Sequence, residues 1–328
     1  LGADSSGLLL LPAGDDVVLV DCADSAVTVE PLAATDFSRP LARVTLDAAP
    51  VSRLAVSRRR FEDLMATVLA AEAAGVARWT LDTAVDYAKV REQFGKPIGS
   101  FQAVKHMCAE MLLRSQQIAV AAGDAAVAAA GDDGDQLSIA AAIAAAAAIE
   151  AVTANAKDCI QVLGGIGITW EHDAHLYLRR AYGIAQALGQ SNWLRRVAAL
   201  TLGGVRRTLH IDLDSVDHLR PEITAAVTSV AALPADQRQV ALAESGLLAP
   251  HWPKPYGREA APAEQLLIDQ EMAAAGVSRP DLVIGWWAVP TILEAGTAAQ
   301  IDRFVPATLR GEIVWCQLFS EPGAGSDL

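Results

Sequence analysis

Two glycine-rich stretches carry the residues best suited to holding a charged or planar group. In residues 161–181, QVLGGIGITWEHDAHLYLRRA, a helix-like run breaks at Gly164, Gly165 and Gly167, and a second run begins near Glu171. Three glycines in four positions let the backbone turn at positive φ and let another group approach closely. Gln161 precedes the break, where its amide can reach whatever lies against those glycines. By spacing alone, a plain helix terminator reads equally well. The second stretch is residues 315–328, WCQLFSEPGAGSDL. A strand entering SEPGAGS would leave backbone N–H groups free at a glycine-rich bend, an arrangement suited to phosphate oxygens. A lone GAGS is a weak motif. Arg91, at the end of a long helical run, is a candidate cation, although a solvated charge at a helix C-terminus is its ordinary reading. His172 and His175 lie three apart without a third ligand, so polar contacts are expected there and no metal site.

These residues need elements to position them. Residues 1–52 read as β, with short β-branched runs separated by Gly, Asp and Pro in LLLLPAGDDVVLVDCADSAVTVEPL. So short a stretch cannot close a sheet alone. Residues 53–206 read as a bundle of long antiparallel helices with short turns. Phe61, Leu64, Met65, Val68 and Leu69 share a face, as do Val76, Thr80, Thr83, Tyr87 and Val90. That pattern predicts a helix over 57–91, ended by Gly95-Lys96-Pro97. Further helices are predicted over 99–130, 136–163, 171–182 and 191–206. Residues 207–216 predict a linker, and helical patterning returns over 217–310, with helices at 262–275, 286–295 and 298–309. The expected class is mainly α with a small β part.

Composition narrows the function classes. The chain has 328 residues, 52% of them apolar, and a net charge of −13. Its length suits two or three domains. An acidic whole argues against a nucleic-acid partner, which requires a basic face. Cys22, Cys108, Cys159 and Cys316 are scattered with no CxxC pair, as expected of reduced, mostly buried thiols. The longest apolar run, 139–149, is about half a membrane span, so no span is expected. No signal peptide is visible, and the expected location is cytoplasmic. The chain begins at Leu1 and stops at Leu328 in mid-motif, which predicts a piece of a longer protein.

Three stretches resemble the acyl-CoA dehydrogenase family, flavoenzymes that oxidise the α,β bond of acyl-CoA thioesters. They are QVLGGIGITWEHDAHLYLRRA, YAKVREQFGKPIGSFQAVKHMCAEM (87–111) and WCQLFSEPGAGSDL. The resemblance implies helical bundles flanking a β-barrel-like middle domain. In the family, SEPGAGSD precedes the other two stretches; here it comes last. That order implies the back half of one unit joined to the front half of the next. Residues 1–52 would be the second half of unit one's middle β-domain, and 53–206 its C-terminal helical bundle. Residues 207–216 would be the linker, 217–310 the N-terminal helical domain of unit two, and 311–328 the start of its middle β-domain. The implied parent is one polypeptide with two fused units.

Desaturating an acyl-CoA needs a base for the α-proton, an acceptor for the β-hydride and a dry pocket. The resemblance implies FAD as the acceptor. Arg91 would meet the FAD pyrophosphate of a partner subunit, with Phe94 near the adenine end. Gln161, Gly164 and Gly165 match the family's QxxGG, which lies against the adenosine part. Gln317, Phe319 and Ser320 would lie along the isoalloxazine ring, and Ser326 would contact the pyrophosphate or the CoA arm. Asp63 matches a family aspartate near the substrate. Phe101 and Gln102 are expected to pack and orient.

The family's catalytic glutamate occupies one of two positions, which here hold Leu188 and Met65. Neither is a carboxylate, and Glu62, Asp63 and Glu171 are poor substitutes. Unit one is therefore expected to be silent or supporting, with unit two supplying the base beyond Leu328. This division of labour resembles the paired subunits of actinobacterial steroid side-chain catabolism, implying a steroid-derived or other bulky acyl-CoA. Implied partners are the acyl-CoA substrate, an electron-transfer flavoprotein or similar acceptor, and a homo-oligomer or second acyl-CoA dehydrogenase unit. The alternative is a non-catalytic assembly partner that scaffolds an active subunit. A relative of acyl-CoA oxidases would instead pass electrons to oxygen.

Overall fold

A computed structural model describes residues 7–189, 192–208, 212–318 and 322–323. Its contacts divide into two units, Leu1–Thr208 and Leu209–Leu328. Unit one opens with five strands: β1 (Leu8–Ala13), β2 (Asp16–Asp21), β3 (Val27–Leu32), β4 (Leu41–Leu46) and β5 (Ser52–Ser57). β2 lies between β1 and β5 and is antiparallel to both. β3 and β4 form a separate hairpin, paired from Val27↔Leu46 to Leu32↔Leu41. Of these strands β2 is the buried one, through Val17, Val18 and Val20. Neither sheet closes, as the shortness of the stretch requires. β5 carries the β part past the expected boundary at 52.

The bundle that follows comprises α1 (Arg58–Val90), α2 (Gln102–Ala130), α3 (Gly134–Leu163), α4 (Ala174–Leu188) and α5 (Asn192–Leu202). Ser57 caps α1 by accepting from the Arg60 N–H, and Asp133 caps α3 by accepting from Asp135 and Gln136. Side-chain oxygens at these positions satisfy donors that the helix itself leaves orphaned. α1 and α3 run parallel: Asp63 bonds Ser138 at their starts, while Ala88 and Leu163 share a cluster at their ends. α3 supplies Ala140, Ala141, Ala144, Ala145, Ala148 and Ala151 to the core. Alanine gives up no side-chain entropy on burial, and its size lets helix backbones approach closely. The stretches 58–90 and 134–168 are apolar and long enough to cross a membrane, but 50% and 61% of their most apolar windows are buried in the protein. They are the central helices of the bundle.

Several expected boundaries move. α1 stops at Val90, before Gly95-Lys96-Pro97, because a two-residue hairpin intervenes. Its strands are β6 (Glu92–Gln93) and β7 (Lys96–Pro97), joined through Phe94 at φ 55 and Gly95 at φ 79. Residues 164–168 form a 3-10 turn, and α4 starts at Ala174 and runs on to Leu188. Tertiary packing extends it: Ile184, Ala185 and Leu188 are all buried. Gly204, at φ 91, follows the early end of α5 at Leu202.

Unit two contains α6 (Arg220–Ala231), α7 (Ala235–Glu244), α8 (Pro262–Ala274), α9 (Gly285–Ala295) and α10 (Ala298–Leu309). Ile223, Leu242, Leu247, Leu267 and Ile268 form its core. The expected linker 207–216 is narrowed from both sides. Arg207 bonds Asp124 at 2.8 Å and Gln136 at 2.9 Å in unit one, while Leu213 and Val216 pack on the second core. The strand expected to enter SEPGAGS is absent from 311–318. No partner strand pairs with it among the described residues, and an isolated strand leaves its backbone groups unmet. Trp315 instead donates its indole N–H to the Thr308 hydroxyl of α10 at 2.8 Å.

Candidate functional site

At one end of the unit-one bundle α1 stops, β6 and β7 turn, α2 begins and α3 breaks. Here the structure brings together Arg91, Phe94, Gln161, Gly164 and Gly165, with Phe101 and Gln102 at the start of α2. The Arg91 backbone is fixed on both sides: its N–H donates to the Tyr87 carbonyl at 2.9 Å, and its carbonyl accepts from Ile98 at 2.8 Å. Its side chain is exposed. Phe94 is 90% exposed and meets Phe101 edge-on at 6.0 Å. Gly164 caps α3 at φ 61, and a Cβ on Gly164 or Gly165 would meet nothing within 4 Å. Gly167 differs, since a Cβ there would lie 2.9 Å from the Ile160 carbonyl and from Leu163. Two of the three glycines thus leave an open ledge beside the exposed Gln161, and the third permits packing. Leu81, Ala88, Met111, Cys159 and Leu163 support the ledge from beneath. Burial pushes the Cys159 thiol up to about 12, so it is inert.

The two histidines next to the ledge shape the turn. His172 Nδ1 accepts from the Ala174 N–H at 3.0 Å, and His175 Nδ1 donates to the His172 carbonyl at 2.8 Å. Glu171 is exposed, and the Thr169 hydroxyl holds its carboxyl below the usual range, which suits a surface contact and not a base.

At the other end of the bundle, Asp63 and Leu188 are withdrawn from solvent. Asp63 is 1% exposed. It accepts from the Ser138 hydroxyl at 2.5 Å, and Ser138 in turn accepts from Arg59 at 2.8 Å. Arg196 Nη2 lies 2.5 Å from Asp63 Oδ1 but off the hydrogen-bonding direction, so that contact is Coulombic. Burial pushes the Asp63 carboxyl up, and the Ser138 bond and the charges of Arg196 and Arg59 offset only part of this. Leu188 is 7% exposed in the main core, and its carbonyl accepts from the Trp193 indole at 2.6 Å. Met65 is 39% exposed on α1. Leu188 and Met65, the two positions expected to correspond to the base, both belong to this end, because Arg196, on the helix after Leu188, pairs with Asp63, which lies just before Met65. Glu62 is tied to Arg58 at 2.7 Å. Along α1 the two ends, Asp63 and Arg91, are about 42 Å apart at the helical rise.

One feature was missed by sequence reasoning. Between residues 34–41 and α4 lies a cleft of about 460 Å³, lined by Asp36, Arg39, Tyr182, Gly183 and Gln186 among others. A charge network underlies it. Arg180 Nε donates to Asp36 at 2.6 Å, and Arg180 also pairs with Glu72, which Arg39 engages at 2.6 Å. Burial raises the Asp36 carboxyl, but the bonds from Ser38 and Arg180 outweigh it and leave it below the usual range. The only signal in the sequence was charge at TDFSRP and LRRAYG, too far apart in the chain for spacing to pair them. Of the remaining expected residues, Gln317 is exposed after α10. Phe319, Ser320 and Ser326 lie outside the described residues.

Residues 58–202 match the family model described as acyl-CoA dehydrogenase, C-terminal domain, and residues 217–312 match acyl-CoA dehydrogenase, N-terminal domain. The chain therefore belongs to the acyl-CoA dehydrogenase family. Among curated proteins, it is 73% identical to acyl-CoA dehydrogenase FadE34 of Mycobacterium tuberculosis, over 100% of this chain and 46% of that protein. It is 40% identical to acyl-CoA dehydrogenase IpdE2 of the same organism, over 57% of this chain and 59% of that protein. The chain thus spans about half the length of the curated relatives it matches. Among solved structures, the ChsE4-ChsE5 complex from Mycobacterium tuberculosis aligns with a TM-score of 0.54 and 30% identity, over 60% of this chain and 55% of that one. The Tcur3481-Tcur3483 steroid ACAD aligns with a TM-score of 0.53 and 27% identity, over 62% and 64%.

Proposed function

We propose that this chain is the middle of a fused, two-unit, FAD-dependent acyl-CoA dehydrogenase in which unit one supports the reaction and unit two supplies its base beyond Leu328. The observation that carries this reading is order: the C-terminal-domain match, 58–202, precedes the N-terminal-domain match, 217–312. The identity of 73% with a relative more than twice as long supports it.

The residues of the open end fit a flavin nucleotide. Arg91 offers an exposed cation to a pyrophosphate, the Gly164–Gly165 ledge has no side chain to hold an adenosine away, and Gln161 offers a donor beside it. FAD, when bound, supplies the acceptor for the β-hydride. The distance of about 39 Å between Arg91 and Met65 along α1 means that the two ends of one unit serve different flavins. Arg91 then reaches a flavin held mainly by another unit. Asp63 stands behind the cleft lined by Arg59, Glu62 and Arg196, so its part in substrate binding is to hold Arg196 in place. Gln317, Phe319, Ser320 and Ser326 are assigned to the flavin and CoA side of unit two.

The substrate class we assign is a bulky acyl-CoA of the steroid side-chain type, which the naming of one structural neighbour as a steroid ACAD supports. An electron-transfer flavoprotein or similar acceptor would reoxidise the flavin, in the cytoplasm. A second reading, a non-catalytic assembly partner, is favoured by one observation: Leu188 fills a core position where the family has a glutamate. Flavin absorbance against peptide concentration on the full-length parent separates the readings. One FAD per chain is the expected result. Two per chain would show that unit one builds its own complete flavin site, and none would establish the assembly partner.

A further inference from the structure

The cleft between residues 34–41 and α4, about 460 Å³ in volume, has a built interior. Its size falls within the range of about 300–1,000 Å³ that small-molecule sites occupy. Tyr182, Gly183, Gln186 and Ala187 lie on one face of α4 and form its floor. Ala181, Ile184, Ala185 and Leu188 turn the opposite way, into the core. The cleft therefore lies across the helix from Leu188, on the side away from the position expected to correspond to the base. Ala34, Leu41 and Ala187 give it an apolar wall.

The polar groups of the cleft hold unused donors. Arg39 spends only Nη2, on the two oxygens of Glu72 at 2.7 and 2.6 Å, and its Nε and Nη1 donate to nothing among the described residues. The exposed Tyr182 hydroxyl and Gln186 amide likewise have no partner among them. Arg180, by contrast, is fully committed, to Asp36 and Ser38 at 2.6 Å each and to Glu72. Asp36 is the one acid lining the cleft, and Ser38 and Arg180 occupy its oxygens. Two further cations stand at the rim. Lys157 lies 5.6 Å from the Tyr182 ring, and Arg179 donates to the Thr35 carbonyl at 2.9 Å; neither pairs with a carboxylate among the described residues. Arg39, Arg179, Arg180 and Lys157 thus face only Asp36 and Glu72, a local positive excess in a chain whose net charge is −13. Such a cleft concentrates anions.

We propose that this cleft binds an apolar monocarboxylate, with its head group on Arg39, Tyr182 and Gln186 and its body on Ala34, Leu41 and Ala187. The open edge of Arg39 is a planar fork that matches the two oxygens of a carboxylate. The Tyr182 hydroxyl and the Gln186 amide, one turn apart on α4, add donors that a neutral head group would use less well. The apolar wall takes a hydrocarbon body out of water.

Isothermal titration calorimetry on the full-length parent, with decanoate, acetate and decanol as ligands, tests this assignment. Decanoate should bind. Acetate, without the body, should bind at least about 100-fold more weakly, and decanol, without the charge, about 10-fold more weakly. Arg39→Gln should weaken decanoate binding about 10-fold. That variant also breaks the pair with Glu72, so a second one, Ala187→Phe, fills the cleft from an exposed wall and touches no ion pair. It should abolish the site while leaving the circular dichroism spectrum unchanged. Decanoate binding that is absent from the parent, undiminished in Ala187→Phe, or matched by decanol would overturn the proposal. Flavin content and acyl-CoA turnover do not enter these readouts, so their outcome is independent of the functional reading.

Discussion

The two ends of the unit-one bundle have kept different things. The end at Arg91 and Gly164 is open: its cation, its amide and two of its glycines face outward, and of those glycines only Gly164 serves the fold, as the cap of α3. At the end with Asp63 and Leu188 those two residues are buried, and Asp63 is spent on Ser138 and Arg196 behind a cleft. Neither the exposed Arg91 side chain nor the open Gly165 packs against anything, so on the proposed reading their presence together at one end speaks for a ligand. On the same reading, the buried Leu188, at a position expected to carry a glutamate, speaks for packing in the place of chemistry. On the proposed reading, a unit with these two ends assists at a flavin site and relies on a base supplied elsewhere.

Five substitutions would break or sharpen this contrast. Asp63→Ala should have the largest effect. It leaves Arg196 and the buried Ser138 without their partner, and loss of one member of a buried pair costs about 3–5 kcal/mol. Urea denaturation of the variant measures it; a change below 1 kcal/mol would mean that the end at Asp63 is not braced as described. Leu188→Glu restores the family's residue. It should destabilise the chain by about 3 kcal/mol, because it buries a carboxyl among Ala181, Ile184 and Trp193. Turnover gained with an acyl-CoA would show instead that this end is still an active site. Third, Gly167→Ala and Gly165→Ala should differ by about 2 kcal/mol, since only the former adds a methyl group 2.9 Å from the Ile160 carbonyl. Gly165→Ala should weaken flavin retention while leaving the thermal midpoint in place. Last, Arg91→Ala should change stability by less than about 0.5 kcal/mol, yet lower flavin affinity about 10-fold, the loss expected for one charge-assisted bond. Equilibrium dialysis of the parent reads that loss.

The contrast also carries a pH signature of opposite sign. Asp36 has its carboxyl held low, so its contribution to stability is full above its unfolded value near 3.8 and is lost as pH falls through the lower folded value. Asp63 has its carboxyl raised by burial, so the folded chain binds the proton more tightly than the unfolded one. Stability therefore falls as pH climbs from 3.8 through the raised value. Comparing Asp63→Asn with the parent across that window should remove the fall and leave the Asp36 contribution intact.

Much of this was legible in the sequence. Hydrophobic spacing gave the helices of both units, and α10 was placed at its observed bounds, 298–309, because its Thr297–Gln300 capping box and its apolar face are both local signals. The hairpin at 92–97 escaped notice, since Phe94 adopts φ 55 without any glycine at that position to announce it. The end of α4 was placed too early because Gly183 reads as a breaker. In the structure it lies beside Asp36, where a Cβ would sit 3.3 Å from the carboxylate, and core packing on either side keeps the helix whole.

The wording of three stretches determined the family, and their order is what the proposal of two fused units rests on, because both are properties of the chain read in one dimension. The tertiary structure alone decided which glycines are open and which are packed, that Arg91 and Met65 stand toward opposite ends of one helix, and that Asp63, Arg196 and Ser138 brace one another across three helices. Those facts depend on distances between residues far apart in sequence, and composition and local spacing carry no record of such distances.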